Sequence, residues 1–150
     1  FAGTAGAWLG IDHDRDWVAR TEAATGLPAT TTTLQTLEAL ARLRPDKLGL
    51  ITPFVEEVHA RIMDSFAAEG FPVAFDRHLG LSLSREMAGV PPSHIAELIG
   101  DCAATGCDAV LTFCTNFRGA EAARIEPAAR VRVPLLDSVA LTFAEIPSRP

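Results

Sequence analysis

The chain has 150 residues, a net charge of −6 and a pI near 5.1. Hydrophobic residues make up 48% of it and charged residues 21%, a composition typical of a folded domain with a sizeable core. An acidic balance without a long basic cluster argues against a nucleic-acid or anionic-membrane partner. The apolar runs are strand-length, too short to cross a membrane, and no signal-peptide pattern is present.

Three cysteines, an odd number in a chain of this size, favour reduced thiols and a cytoplasmic protein. Neither their spacing nor that of the four histidines matches a zinc pattern, so the residues indicate no metal site. The chain contains no tyrosine, which excludes any mechanism that needs a phenol.

Strand-like and helix-like segments alternate along the chain. Capping residues and apolar periodicity predict helices over residues 12–26, 33–43, 55–70, 91–106, 118–129 and 138–146. Strands are predicted over residues 47–51, 71–76, 108–113 and 132–137, and a loop over residues 77–84. Strands followed by helices form βα units, so the predicted fold is α/β, a layered sandwich around a mostly parallel sheet.

In open sheets of this kind, ligands bind outside the carboxyl ends of the strands. Four turns rich in Gly, Thr, Asn or Pro precede helical segments there, at residues 1–6, 29–33, 51–54 and 113–119. Amides at helix starts bind anions, so the turns together suggest a site for a small acid. Ordinary helix capping explains threonines at such positions equally well.

Cys114 ends the apolar segment "AVLTF" and begins the last of these turns. A free cysteine is often a small buried apolar residue, and this is the interpretation for Cys102 and Cys107. Cys114 differs because a helix is predicted to begin just after it, and the amide donors of a helix start favour the thiolate. Asn116 and Arg118 add polarity nearby, although an arginine at a helix start is more often a solvated surface residue.

The segment "GCDAVLTFCTNFRG" resembles the second-cysteine motif of maleate cis-trans isomerases. These belong to the aspartate/glutamate racemase superfamily, as do arylmalonate decarboxylases. The segments "TEAATGLPATTTTLQTLEAL", "KLGLITPFVEEVHARI", "LGLSLSREMAGVPPSHI" and "VPLLDS" also resemble the corresponding parts of that group. The resemblance implies a three-layer fold of two pseudo-symmetric lobes. Residues 1–45 and 133–150 would be part of the first lobe, and residues 46–132 would form the second. It further implies that most of the first lobe is missing and that the chain is incomplete at its N-terminus.

The resemblance also implies chemistry between the lobes without metal or cofactor. Racemases and isomerases carry one cysteine from each lobe, and Cys114 occupies the second position. At the first position, where isomerases have a Cys-Thr-Ser-Gly run, this chain has Gly3-Thr4-Ala5-Gly6. Arylmalonate decarboxylases are similar to it in having glycine then threonine there and only the second cysteine.

In the implied reaction the diacid substrate loses CO2 and becomes an enediolate, which Cys114 protonates as the catalytic residue. Hydroxyl and amide donors would hold that intermediate. The substrate-binding residues implied are Gly3, Thr4, Ala5, Phe54, Ser84, Thr115 and Asn116.

Three departures keep other functions open. Phe54 stands where both relatives have a tyrosine, Ser84 stands where isomerases tend to have an asparagine, and "CTNFR" resembles the isomerase motif more than the decarboxylase one. The prediction is therefore a cofactor-independent decarboxylase acting on a small dicarboxylate. The alternatives are a cis-trans isomerase and a non-catalytic protein that binds a small acid. The oligomeric state is left open, and a homo-oligomer is compatible with the sequence.

Overall fold

The computed structural model describes residues 1–144. Its helices are α1 (Gly6–Leu9), α2 (Ile11–Thr25), α3 (Thr32–Leu43), α4 (Glu56–Ala68), α5 (Ser84–Gly89), α6 (Pro92–Ala104), α7 (Gly119–Ala122) and α8 (Ser138–Ala144). The strands are β1 (Leu48–Phe54), β2 (Val73–Leu81), β3 (Ala109–Thr112) and β4 (Leu135–Asp137), and a short 3-10 helix spans Ala128–Arg130. Within this part of the chain, no helix is both long and apolar enough to cross a membrane.

The four strands form one parallel sheet in the order β2-β1-β3-β4, with helices packed against it. The predicted α/β sandwich is therefore confirmed. The two inner strands are apolar because they are covered on both faces, and every residue of β1 and β3 is buried. Phe66 of α4 and Phe113 at the end of β3 are fully buried, with their rings edge-to-face at 5.2 Å.

The N-terminus of α3 is built from threonines that satisfy its first amides. The Thr31 hydroxyl accepts the Leu34 N–H at 3.2 Å and donates to the buried carboxylate of Asp14 at 2.6 Å, so one side chain caps α3 and ties it to α2. At the other end of the chain, the Thr142 hydroxyl of α8 donates to that of Thr32 at 2.9 Å. α3 and α8 thus pack together although about a hundred residues separate them.

Three of the predictions are wrong in extent. The predicted turn over residues 51–54 is the last part of β1, because pairing with β2 continues to Phe54. The predicted helix over residues 118–129 is only the four residues of α7 followed by the 3-10 turn. Pro127 lacks an N–H and disfavours helical backbone at the residue before it, so a single helix cannot run through residues 118–129. The predicted loop over residues 77–84 is instead the second half of β2, with α5 beginning at Ser84. This half pairs with β1 through Thr52 and His78, so tertiary pairing overrides its weak strand pattern. The predicted C-terminal helix is present to Ala144, and its last two predicted residues lie outside the described part.

His59 of α4 connects that helix to two strands. The imidazole is 2% exposed, with Nδ1 at 2.9 Å from the Thr52 hydroxyl of β1 and Nε2 at 3.1 Å from the Asp76 carboxylate of β2. Burial lowers the pKa of His59 below its ordinary value, although Asp76 opposes the shift. The ring therefore stays neutral in the native state at a pH where the unfolded chain takes up a proton.

This difference predicts a loss of stability in acid. Below the ordinary histidine pKa of about 6.5, the unfolded state binds more protons at this group than the native state, so the free energy of unfolding falls as the pH falls. At pH 5.5 the loss from this single group is at most about 1.4 kcal/mol. Urea denaturation at pH 7.5 and 5.5 measures it. Between these two pH values we expect the free energy of unfolding to fall less in His59→Gln than in the unaltered protein. In His94→Gln, which replaces an exposed ring, it should fall as much as in the unaltered protein. An equal drop in both variants would contradict the prediction.

Candidate active site

A cavity of about 280 Å³ lies at the carboxyl ends of β1 and β3. Its walls are formed by four segments: the segment around α1, the end of β1 with the start of α4, the region of α5, and the turn after β3. The lining residues are Thr4, Ala5, Trp8, Phe54, Val58, Ser82, Ser84, Met87, Cys114, Thr115 and Asn116. Segments that are distant in sequence thus meet at the edge of the sheet where parallel folds bind ligands.

Cys114 lies in the wall of this cavity and is 2% exposed. Its backbone N–H donates to the Ser138 hydroxyl at 3.2 Å, and its Sγ accepts the Asn116 N–H at 3.4 Å. On the other side Sγ is 4.0 Å from the Met87 sulfur of α5. The thiol is therefore held between a turn amide and an apolar neighbour, and its position is set from three elements.

Burial raises the pKa of Cys114 above that of an ordinary thiol, and the carboxylate of Asp137 adds to this shift, while the Asn116 N–H opposes it. The expectation that the strand-to-helix position favours a thiolate is wrong. The helix that follows has only four residues, so its dipole is weak, and the loss of hydration outweighs the one amide donor. At neutral pH Cys114 is a protonated thiol, an acid and not a preformed nucleophile.

The cavity lining combines apolar and polar residues. Trp8, Phe54, Val58 and Met87 are the apolar lining residues, called its apolar side below, with the rings of Trp8 and Phe54 edge-to-face at 5.3 Å. The polar lining residues are Thr4, Ser82, Ser84, Thr115 and Asn116, the last of which donates its N–H to the Cys114 sulfur. A ligand with both apolar and hydrogen-bonding groups fits this lining.

Every residue predicted for the site lines this cavity except Gly3. A side chain at Gly3 would overlap the ring of Phe1, and Gly3 itself does not line the cavity. Arg118 points away from it, with Nη2 donating to the Val90 carbonyl at 3.4 Å and Nη1 at 3.6 Å from Glu121. The surface interpretation of Arg118 is confirmed by its side chain, which is 47% exposed.

Four lining residues were not predicted: Trp8, Val58, Ser82 and Met87. Val58 lies in α4 at the helical spacing of a packing residue, so no sequence pattern distinguishes it as a site residue. Ser82 and Met87 belong to the region around α5, which the sequence did not identify as a helix. Trp8 comes to lie opposite Phe54 because α1 packs against α4. This packing is a tertiary contact that no local sequence pattern predicts.

The threonine-rich turn at residues 29–33 does not reach the cavity that holds Cys114. Thr32 instead lines a neighbouring cavity of about 290 Å³, together with Thr142, and Thr115 and Asn116 separate the two. Within residues 1–144, His, Cys, Asp and Glu side chains form no group of three that could hold a metal ion. Cys102 and Cys107 lie apart from the site, with their sulfurs 3.8 Å from each other.

The profile of the arylmalonate decarboxylase family matches residues 3–145, whereas no curated protein sequence matches the chain. Among solved structures, unliganded arylmalonate decarboxylase is 26% identical, with a TM-score of 0.76 over 96% of this chain and 64% of that one.

Two isomerases share the fold at lower identity. Maleate isomerase Iso from Pseudomonas putida S16 is 19% identical, with a TM-score of 0.85 over 98% of this chain and 62% of that one. A variant of Nocardia farcinica maleate cis-trans isomerase with a covalently bound succinylcysteine intermediate is 16% identical, with a TM-score of 0.78 over 95% of this chain and 60% of that one. The chain thus spans less than two thirds of the length of each of these structures. Since the family profile matches nearly its whole length, the chain belongs to the arylmalonate decarboxylase family.

Proposed function

We propose that the protein is a cofactor-independent decarboxylase of small malonate-type diacids, in which Cys114 donates a proton to an enediolate. One observation carries the proposal: the Cys114 thiol, whose pKa is raised by burial, lies in the wall of a cavity beside hydroxyl and amide groups. Among the described residues, Cys114 is the only thiol that lines this cavity. One acid on one face suits protonation of a planar intermediate, whereas racemisation needs a group on each face.

The reaction is a heterolytic cleavage followed by a proton transfer. The carbon–carbon bond to one carboxylate breaks, CO2 leaves, and the electron pair stays on the substrate as an enediolate. Cys114 then gives its proton to the α-carbon, which yields the monoacid and a thiolate, and the thiolate takes a proton from water. A thiol with a raised pKa enters this cycle in the required protonation state, because at neutral pH it starts as the acid.

Negative charge develops on the two oxygens of the carboxylate that stays. We assign its binding to the hydroxyls of Thr4 and Ser84, to the backbone amides near Ala5, and to Thr115 and Asn116. Donors placed in advance at the position of the developing charge cost no reorganisation in the transition state. We assign Phe54 to the apolar side, where its ring lacks the hydroxyl of the tyrosine that the resemblance places there. We assign to Gly3 the role of leaving space for the ring of Phe1 next to Thr4. The substituent of the diacid would lie between Trp8, Phe54 and Met87.

The arrangement of the chain supports a site between two lobes. Thr4, Ala5 and Trp8 come from residues 1–45, whereas Phe54, Ser84 and Cys114 come from residues 46–132. The contact of α3 with α8 supports the assignment of the C-terminal segment, residues 133–150 as far as they are described, to the first of these units. The cysteines are free thiols, which supports a reducing compartment such as the cytoplasm.

One observation favours a second function, a cis-trans isomerase of a small unsaturated diacid. The turn from Cys114 to Arg118 resembles the isomerase motif more than the decarboxylase one. In that reaction the thiol of Cys114 would add to the double bond, allow rotation, and leave again. The raised pKa of Cys114 counts against it, because addition requires the thiolate.

Incubation of the purified protein with phenylmalonate and, separately, with maleate tests the proposal. We expect phenylacetate and CO2 from the first and no fumarate from the second, both followed by NMR. Fumarate in the second sample would instead identify the isomerase. Saturable binding of either diacid without turnover would show that the protein only binds small acids.

A further inference from the structure

A buried carboxylate lies directly behind the turn that carries Cys114. Asp137, at the end of β4, is 8% exposed. One of its oxygens accepts the Ala140 N–H of α8 at 2.9 Å, and the other accepts the Thr112 hydroxyl of β3 at 3.0 Å. Both of these partners are neutral groups, and through them the carboxylate joins β3, β4 and α8.

These bonds reach Cys114 from two directions. Thr112, the last residue of β3, stands two residues before it, and Ser138, the residue after Asp137, accepts the Cys114 N–H at 3.2 Å. Gly119, which follows the turn, packs directly against Thr112 and Asp137, because a side chain there would overlap both the Thr112 hydroxyl and the Asp137 carboxylate. The position of the thiol therefore depends on the contacts of Asp137.

The charges around this group are few. Among the described residues, Arg118 and Glu121 line one cavity together with Asp137. Arg118 is engaged by Glu121 and by the Val90 carbonyl and does not pair with Asp137. Burial is the main cause of the raised pKa of Cys114, and the charge of Asp137 adds to it.

We propose that Asp137 is a positioning residue for Cys114: its carboxylate ties the end of β3 to the start of α8, and its charge sets the electrostatic environment of the thiol. The role in proton donation rests on the proposed function, whereas the effect on the thiol does not. In the reaction, the negative charge would restore the protonated form of Cys114 after each transfer, because a thiolate next to a carboxylate is disfavoured.

Alkylation by iodoacetamide measures the thiol without any substrate. The rate at Cys114, followed by peptide mapping from pH 6.5 to 10, gives the midpoint of its ionisation. In Asp137→Asn the amide oxygen can still accept the Ala140 N–H, but the charge is gone. We expect the midpoint to fall and the rate at pH 8 to rise about threefold, because less repulsion opposes the thiolate.

Two variants make the result specific. Asp137→Glu keeps the charge and should return the midpoint towards that of the unaltered protein. Asp108→Asn removes an exposed carboxylate at the opposite end of β3, where it accepts the Asp46 and Lys47 amides, and should leave the midpoint unchanged. An unchanged midpoint in folded Asp137→Asn would overturn the proposal.

If Asp137→Asn does not fold, Thr112→Val carries the test against Thr112→Ser. The valine removes one donor from the carboxylate and leaves its charge less compensated, so Cys114 should react about twofold more slowly than in the serine variant. Equal rates in the two variants would overturn the proposal. Absence of decarboxylation in the unaltered protein would refute the proposed function and leave the labelling result intact.

Discussion

We expect Cys114→Ala to lose most of the proposed conversion of phenylmalonate to phenylacetate. Loss of a positioned general acid typically costs about 10²–10⁴-fold in rate, and we expect kcat to fall within that range. KM should change little, because the cavity keeps its hydroxyl donors and its apolar side. Cys114→Ser should be nearly as inactive, since a buried hydroxyl is a much weaker acid than a thiol. The measurement is initial CO2 release under saturating substrate.

Cys107→Ala is the matched control. Cys107 is another buried thiol, 5% exposed, but it faces Cys102 and the start of β3 and does not line the cavity. We expect it to keep its activity if the chain folds. Product formation by Cys114→Ala at the unaltered rate would contradict the proton-donor role, and equal losses in the alanine variants of Cys107 and Cys114 would indicate a general effect on folding.

The architecture was readable from the sequence wherever the signal is local. The continuous apolar runs that became β1 and β3 and the 3.6-residue periodicity of α3 and α4 predicted these elements with small errors at their ends. The second half of β2 has no such pattern. It is an edge strand with alternating exposure and polar residues, and pairing with β1 determines its conformation.

Most of the polar residues of the candidate site were predictable, whereas of its four residues on the apolar side only Phe54 was. Cys114 and Asn116 lie in the turn at the end of β3, a position that topology alone marks, and Thr4 lies in the segment just before α1. Trp8 and Met87 reach the cavity through the packing of short helices whose ends the sequence does not signal. The charge state of Cys114 was predicted wrongly for a related reason, because burial is a tertiary property and it outweighs the local amide donor.

Gly119→Ala is expected to lower the stability of the protein by about 1–3 kcal/mol, the usual cost of forcing a methyl group into a packed interior. Gly119 begins α7, and an added methyl would overlap the Thr112 hydroxyl and one oxygen of Asp137. Neither can move away cheaply. Thr112 is a branched side chain on a central strand, and rotating it would break its bond to the carboxylate. Retreat of Asp137 would strain its bond to the Ala140 N–H.

Gly89→Ala provides the matched comparison, because it is the same change at another helical glycine, where an added methyl meets open space. That variant should be neutral or slightly more stable, since alanine restricts the unfolded chain more than glycine does. Thermal unfolding should place the midpoint of Gly119→Ala several degrees below both Gly89→Ala and the unaltered protein, at about 2–4 °C per kcal/mol. Equal midpoints for the two variants would show that the turn after Cys114 shifts to accommodate the added methyl group at little cost in stability. A lowered midpoint would show that the contact between β3, β4 and α7 is rigid, which a fixed proton donor requires.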